Sequence, residues 1–178
     1  MENGVAETTL EDIRAAAGVS GSQVYHYFAD KQALVRAVID YQAAAVLDFQ
    51  GAYLDQLDTL PGLRAWRDFL VDHQRRLGCQ GGCPIGALGA EVAETDAIAR
   101  LAAARGFGRW EARIRDGFRA MHVRGDLPAA TDPDDLALAI LAALEGGLLL
   151  TRLRRETRPL EVALEAMLDR IQGLTAAA

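Results

Sequence analysis

The stretch GVSGSQVYHYFADK, residues 18–31, carries the polar side chains of this sequence that are best suited to reading nucleic acid. Its centre is Gln23, because a carboxamide can pair bidentately with adenine in the major groove. Gly21 lets a backbone approach closely, and Ser22 adds a small hydroxyl. Gln23 also stands three residues after Ser20, which is the spacing of a capping box, and one amide cannot fill both roles. Base contact and helix capping are therefore both open.

Phosphate contacts in this region would come from neutral donors and one lysine. Lys31 is predicted to clamp a phosphate. The hydroxyls that can donate to phosphate oxygens belong to Thr9, Ser22, Tyr25 and Tyr27. The charge balance opposes this interpretation, since the first forty residues carry three basic and six acidic side chains, a net charge of −3. Because counterion release dominates DNA affinity, the segment is predicted to be a poor non-specific binder.

Cys79 and Cys83 flank the turn-forming sequence QGG. Cys83 precedes Pro84 at a predicted helix start, where the helix dipole favours the thiolate that oxidants and electrophiles attack. This predicts a redox or electrophile sensor as an alternative function, whereas the plainer interpretation is two small buried thiols in a tight turn. Two thiols are too few for a closed zinc site, so we predict no metal and no cofactor.

Glu145 stands inside an apolar stretch, where a carboxyl needs a partner or a solvated cavity. It is predicted either to pair with an arginine across a dimer or to face a ligand. A mostly apolar pocket between helices would hold that ligand. Its candidate residues, each of which could equally be core, are Trp66, Phe69, His73, Cys83, Phe107, Trp110, Phe118, Met121, His122 and Glu145.

Helix signals indicate how the N-terminal candidates are positioned. Thr9 caps a first helix, and Gly18 is well placed to end it in a left-handed conformation. Ser20 caps a short second helix that ends near Phe28, and Asp30 caps a long third helix. The result is a helix–turn–helix whose second helix buries one side and leaves its polar residues outside. That is the shape that enters a major groove.

The rest of the chain is predicted to form longer helices. The helix over about residues 133–156 is apolar almost all round, and the last helix carries a narrow apolar seam. Both need a partner, which predicts a homodimer joined by a four-helix bundle. Gly146 and Gly147 would permit a close helix approach there or merely kink the helix. The predicted interface residues are Leu141, Leu144, Leu148, Leu160, Leu164, Met167, Leu168 and Ile171.

Composition narrows the class of protein. The chain has 178 residues, 51% of them hydrophobic, with few prolines and no strict alternation, which predicts an all-α fold. No uninterrupted apolar run is long enough to span a membrane and no signal peptide is visible, so a cytoplasmic location is predicted. The net charge of −6 excludes a global basic surface as the means of binding DNA. Without a phosphate-cradling loop, a catalytic grouping or a metal motif, no enzyme activity is predicted.

The segment TTLEDIRAAAGVSGSQVYHYFADKQALVRAVID, from Thr8 to Asp40, resembles the DNA-binding domain of the TetR family of transcriptional regulators. The likeness rests on the Thr-Thr start, the Ala-Gly-Val turn, the Tyr-x-Tyr-Phe end of the second helix and the lysine that begins the third. GGCPIGALGAEVAETD, from Gly81 to Asp96, resembles a branch of the family often found beside efflux or detoxification genes. The remaining segments fit the family in helix pattern alone.

The resemblance implies an all-helical homodimer with a helix-turn-helix domain at residues 1–42 and a ligand-binding and dimerisation domain at residues 43–178. A small-molecule effector would reorient the recognition helices, so that a repressor leaves the palindromic half-sites of its operator DNA. Tyr25 and His26 are expected, by the same analogy, to contact bases or phosphate. Family members carry one more helix before Thr8, whereas only MENGVAE precedes it here, so this helix is expected either to be absent or to belong to a segment that comes before these residues. If that truncation is real, the alternative is a helical dimer that does not bind DNA.

Overall fold

The computed structural model describes residues 4–178, and over that range the regular elements are all helices. This confirms the all-α fold and the expected order of helices. The bounds are α1 (Leu10–Ala17), α2 (Gly21–Tyr27), α3 (Lys31–Leu54), α4 (Leu60–Arg76), α5 (Pro84–Val92), α6 (Ala97–Arg124), α7 (Pro133–Arg154) and α8 (Arg158–Thr175).

The chain divides into two compact units, and α3 and α6 each contribute to both. The first unit contains the residues up to 45 together with 84–107, and the second contains residues 46–83 and 108–178. The domain boundary predicted at residue 42 would place residues 84–107 in the second domain. In the structure these residues pack in the first unit. The reason is close packing of α6 against α3, since a Cβ added at Gly106 would lie 2.9 Å from the Cβ of Ala43.

The N-terminal helices begin and end where their capping residues predict. Both halves of the Thr9–Asp12 capping box form, and Gly18 ends α1 with φ 66°. The Ser20 N–H donates to Gln23 Oε1 over 2.8 Å, while the Gln23 N–H donates to Ser20 Oγ over 3.2 Å. These bonds satisfy amides that the first turn of a helix leaves free. The turn between α1 and α2 is therefore defined by local chemistry.

In the second unit, α7 and α8 form a tightly packed antiparallel pair. A Cβ added at Gly147 would meet the Cα of Leu160 at 3.0 Å, so the two backbones approach closely at this glycine. The N–H of Leu160 also donates to Thr151 Oγ1 over 3.3 Å, inside the buried seam. The close approach expected at the glycine pair thus occurs within one chain at Gly147, while nothing lies within 4 Å of a Cβ at Gly146.

Helix α7 is long and apolar enough, by length and composition alone, to cross a membrane. A core helix of a globular protein passes the same test, and eight residues of α7 are buried inside the second unit. The expectation that α7 is buried on every side does not hold within one chain. Its large exposed apolar side chains are Leu138, Leu149, Leu150 and Leu153.

Candidate functional site

Helix α2 presents a polar and aromatic face to solvent. Val24 is its one buried residue, so the opposite side of this short helix is free. Tyr25 and Tyr27 are 62% and 76% exposed, and the ring of His26 lies edge-on to that of Tyr27 at a centroid distance of 5.1 Å. Ser22 and Gln23 are also exposed, whereas Gly21 is half-buried. The predicted DNA-contacting residues of α2 are therefore accessible on every side of the helix except that of Val24, although Gly21 is half-buried.

Gln23 fills the capping role that the sequence left open. Its Oε1 accepts the hydrogen bond from the Ser20 N–H, which leaves the amide nitrogen as the group that could donate to a base. Contact between Gln23 and adenine stays a prediction. It requires the amide either to use its nitrogen alone or to release the cap, because a bidentate pair needs both atoms.

Every basic side chain of the helix-turn-helix segment has an intramolecular partner. Lys31 is half-buried, and its Nζ donates to the carbonyl of Ala6 over 3.1 Å, so a phosphate would compete with that bond. The guanidinium of Arg36 lies 3.8 Å from the carboxylate of Asp96. Arg14 pairs with Glu11 on the surface. Thr9, another predicted phosphate donor, bonds Asp12 through its hydroxyl over 2.6 Å.

An apolar cleft of about 250 Å³ lies behind the helix-turn-helix, within the first unit. Ile13, Leu34 and Val38 are among its walls, and each is half-buried. A fully packed domain of this size would cover such side chains, because apolar burial is its main source of stability. The back of the helix-turn-helix is therefore incompletely covered by the residues that the structure describes.

In the second unit, Arg67 Nε and Arg115 Nε lack hydrogen bonds but each lies beside a carboxylate, whereas three other buried polar atoms have no partner of either kind. They are Oε1 of Gln74 on α4, Nε1 of Trp110 on α6 and Oε1 of Glu145 on α7. Burial raises the pKa of Glu145 to about 7, although a hydrogen bond from the Cys83 thiol lowers it in part. An unpaired buried polar atom costs stability, so each of the three is a point at which a bound molecule would gain a hydrogen bond.

Sequence reasoning named Trp110, Glu145 and Cys83 but missed Gln74. An inward glutamine on the amphipathic helix α4 was the available signal, since Gln74 follows Leu70 by four positions and shares its buried face. The structure accordingly adds Gln74 to the buried polar residues of the second unit.

The remaining pocket candidates have other surroundings. Trp66 donates its Nε1 to Gln50 over 2.8 Å, which satisfies it in the core. Phe118 and Met121 are almost completely buried, as core residues are. Phe69 and His73 belong to a partly exposed aromatic cluster with Phe49 and Tyr53. Burial is also the main reason that the pKa of His73 is lowered. His122 lies 3.4 Å from the Ala129 carbonyl, and Phe107 falls in the first unit.

Most of the predicted dimer residues lie in the interior of the single chain. All but Met167 are buried within the single chain, at 5% exposure or less: Leu141, Leu144, Leu148, Leu160, Leu164, Leu168 and Ile171. They pack α7 and α8 against each other inside the subunit, so little of their surface is left for a second copy. Met167 is half-buried. The sequence of an all-round apolar helix does not show which of its faces packs inside the subunit, so these residues stay a prediction as interface residues.

No disulfide joins Cys79 and Cys83, and both side chains are buried. Cys79 has φ 56°, and its carbonyl accepts a hydrogen bond from Arg155 over 3.1 Å, so it helps to shape the turn before α5. Burial limits the access that an oxidant or an electrophile needs. The thiol-sensor alternative gains no support from this geometry, and among the residues described no cluster of metal-ligating side chains occurs.

The arrangement of helices agrees with comparisons to known proteins. The family model described as "Tetracyclin repressor-like, C-terminal domain" matches residues 59–167, which is more than half of the chain. The chain belongs to the TetR family. A second TetR-family model, "Bacterial regulatory proteins, tetR family", matches residues 1–38. Members of this family are transcriptional regulators that bind operator DNA as dimers, and they are not enzymes.

Individual relatives cover most of this TetR-family chain. "Transcriptional regulator AcuR" of Cereibacter sphaeroides is 32% identical over 163 residues, which cover 89% of this chain and 74% of that protein. "HTH-type transcriptional repressor DhaR" of a Mycobacterium species is 26% identical over 185 residues, covering 98% and 89%. The crystal structure of the regulatory protein TetR from Rhodobacter sphaeroides superposes with a TM-score of 0.78 at 28% identity, covering 94% and 90%. The helix-turn-helix followed by a helical domain is thus the fold of this family.

Proposed function

We propose that this TetR-family regulator is a cytoplasmic repressor that a small molecule releases from its operator. The observation that carries the proposal is the set of unpaired buried polar atoms on Gln74, Trp110 and Glu145. They belong to three different helices of the second unit, and we propose that one molecule bonds to them and thereby changes how those helices pack. One relative bears the name of a repressor, which supports repression as the direction of control.

The chemistry of these atoms describes an effector class. Trp110 offers a donor and Gln74 an acceptor, while a glutamate whose pKa is about 7 can act as either near neutral pH. A small molecule with an apolar body and at least one donor and one acceptor would satisfy them. Such a ligand gains specificity because an analogue without the polar groups leaves the buried atoms unpaired.

The effector site can be tested with tryptophan fluorescence, because Trp66 and Trp110 are the two tryptophans of the chain. In a Trp66→Phe protein, Trp110 is the reporter, and a panel of small polar organic molecules is titrated against it. Hits are then tested for release of labelled DNA from upstream of the protein's own gene. We expect Trp110→Phe, which keeps an aromatic ring but removes the N–H donor, to raise the effector concentration needed to release the DNA by roughly tenfold relative to wild type, as for one lost buried hydrogen bond.

Trp66→Phe is also the matched control for that substitution. It removes an indole N–H from an equally buried tryptophan, but one that already bonds Gln50. It should lower stability without changing the effector concentration needed for release. An unchanged effector response in both Trp110→Phe and Glu145→Gln would contradict the proposed site.

The homodimer is proposed to form through the apolar face that α7 leaves exposed, rather than through the buried seam. Leu149 and Leu153 are 57% and 69% exposed, and Val162 on α8 is 47% exposed. Exposed leucines at i and i+4 on a long helix are typical of an unfilled helix–helix interface. Loss of these contacts separates the two recognition helices, and one helix-turn-helix reads only one half-site.

DNA binding itself is tested by fluorescence anisotropy with the upstream duplex. Gln23→Ala should alter the preference among base substitutions in the half-site, while wild-type binding should weaken steeply with salt. Absence of binding by a dimeric wild-type protein would instead favour the alternative of a helical dimer that does not bind DNA.

A further inference from the structure

Arg14 is the one lysine or arginine among the first thirty residues, and it lies beside the recognition helix. Its Cδ is 3.8 Å from the position that a Cβ on Gly21 would occupy, at the first residue of α2. A longer side chain at residue 21 would compete for this space. The glycine therefore leaves room for the arginine of α1 to lie over the start of α2.

The guanidinium of Arg14 is held by Glu11, one turn earlier on α1. Nε donates to Oε2 over 2.8 Å, and Nη2 donates to Oε1, which makes the pair bidentate. A planar guanidinium fork fits a phosphate in the same way that it fits a carboxylate. The geometry that Glu11 satisfies in the free protein is thus the geometry that a DNA backbone would require.

The other basic side chains nearby are less free to move. Arg36 and its partner Asp96 are 26% and 13% exposed, whereas Arg14 and Glu11 are 38% and 69% exposed. Exposed ion pairs are weak because solvent screens them and because they hold long side chains in place. Arg14 can therefore leave Glu11 for another partner at little cost in free energy. It lies next to α2, the helix predicted to enter the major groove.

We infer that Arg14 is a DNA-backbone contact of this regulator, and that Glu11 competes with phosphate for its guanidinium. The inference rests on DNA binding by the proposed repressor and adds a contact that the exposed face of α2 does not supply. In the bound state the guanidinium exchanges the Glu11 carboxylate for a phosphate. Glu11 thereby holds down the affinity for DNA of any sequence, so that selectivity depends more on the base-facing residues of α2.

A double-substitution cycle tests the competition, using anisotropy with the upstream duplex over a series of salt concentrations. Arg14→Ala should weaken binding by about tenfold and make the slope of log affinity against log salt shallower by roughly 2 per dimer, one phosphate per subunit. Arg14→Lys should retain the slope. Glu11→Gln should strengthen binding severalfold in the wild-type background and lose most of that gain when Arg14 is alanine.

Arg113 and Asp55 are a matched control pair in the second unit. Their side chains are 42% and 69% exposed and form a similar surface ion pair. Arg113→Ala and Asp55→Asn should leave affinity and salt slope unchanged, and circular dichroism should show all variants folded. Two results would overturn this inference while leaving the proposed function intact, provided that wild type binds the duplex. One is an Arg14→Ala protein with the wild-type affinity and salt slope. The other is a Glu11→Gln substitution that strengthens binding equally whether or not Arg14 is present. If wild type binds no upstream duplex, the proposed function falls, and this contact with it.

Discussion

Replacement of Glu145 by glutamine should change how stability depends on pH. In the folded chain, burial raises the pKa of this carboxyl from 4.5 to about 7. Between those two values the folded protein holds a proton that the unfolded chain has lost, so wild-type stability falls as the pH rises from about 4.5 to about 7. Above that window, the folded chain carries the whole cost of the buried charge.

The size of the effect follows from the difference between the two pKa values. At 1.36 kcal/mol for each unit, a rise of this size corresponds to about 3 kcal/mol. Glutamine has nearly the same shape and never ionises, so Glu145→Gln avoids the cost. The free energy of unfolding of the variant, relative to wild type, should increase by about 2.5 kcal/mol between pH 5 and pH 8, because a smaller part of the cost is already present at pH 5. For a chain of this length, the whole cost corresponds to a melting-temperature difference of roughly 6–12 °C at the higher pH.

The assay is urea unfolding followed by circular dichroism at one fixed protein concentration, because a dimer unfolds in a concentration-dependent way. Glu156→Gln is the control, since this glutamate lies exposed just beyond the C-terminal end of α7. It should follow the wild-type pH curve. If the curves of wild type and Glu145→Gln run parallel from pH 5 to pH 8, the carboxyl is solvated and the buried site proposed around it is wrong.

Three further predictions concern packing, assembly and capping. Gly147→Ala should lower the unfolding free energy by about 1–3 kcal/mol, because its Cβ would crowd the backbone of α8. Gly146→Ala should be neutral or stabilising, since nothing lies near a Cβ there, and thermal melts measure both variants. Leu153→Glu should convert the dimer to a monomer in size-exclusion chromatography with light scattering. A dimer that persists would place the interface elsewhere. The control is Val123→Glu, at a residue that is 87% exposed on α6. Ser20→Ala removes the N-cap of α2 and should cost about 1 kcal/mol in urea unfolding, with weaker DNA binding. An unchanged stability would show that the cap contributes nothing.

Local signals made the helices and the turn predictable. Thr9, Gly18 and Ser20 act within four residues of their own positions, through hydrogen bonds that a short peptide can already form. The exposed face of α2 follows in the same way, because Val24 alone must point inward for the helix to dock. These features could be expected from the order of residues without knowledge of any distant contact.

The partners of buried polar groups could not be predicted in this way. Gln50 satisfies Trp66 from another helix, while Trp110 and Gln74 stay unpaired, although nothing in the local sequence separates the two tryptophans. The position of the Arg14 side chain beside Gly21 likewise depends on how α1 crosses α2. These contacts join elements far apart in the chain or at angles that periodicity does not specify.

The sequence by itself determined the helical class, the capped helix-turn-helix and the polar residues that this motif exposes, because hydrogen bonds and periodicity act over a few residues. Only the tertiary structure decided which side of α7 packs against α8 and which side stays exposed. An apolar helix has no local preference between its faces, and the face that is buried includes Gly147, where the backbones of α7 and α8 approach closely. The assignment of Leu141 to the core and Leu153 to the surface is therefore a property of the folded chain.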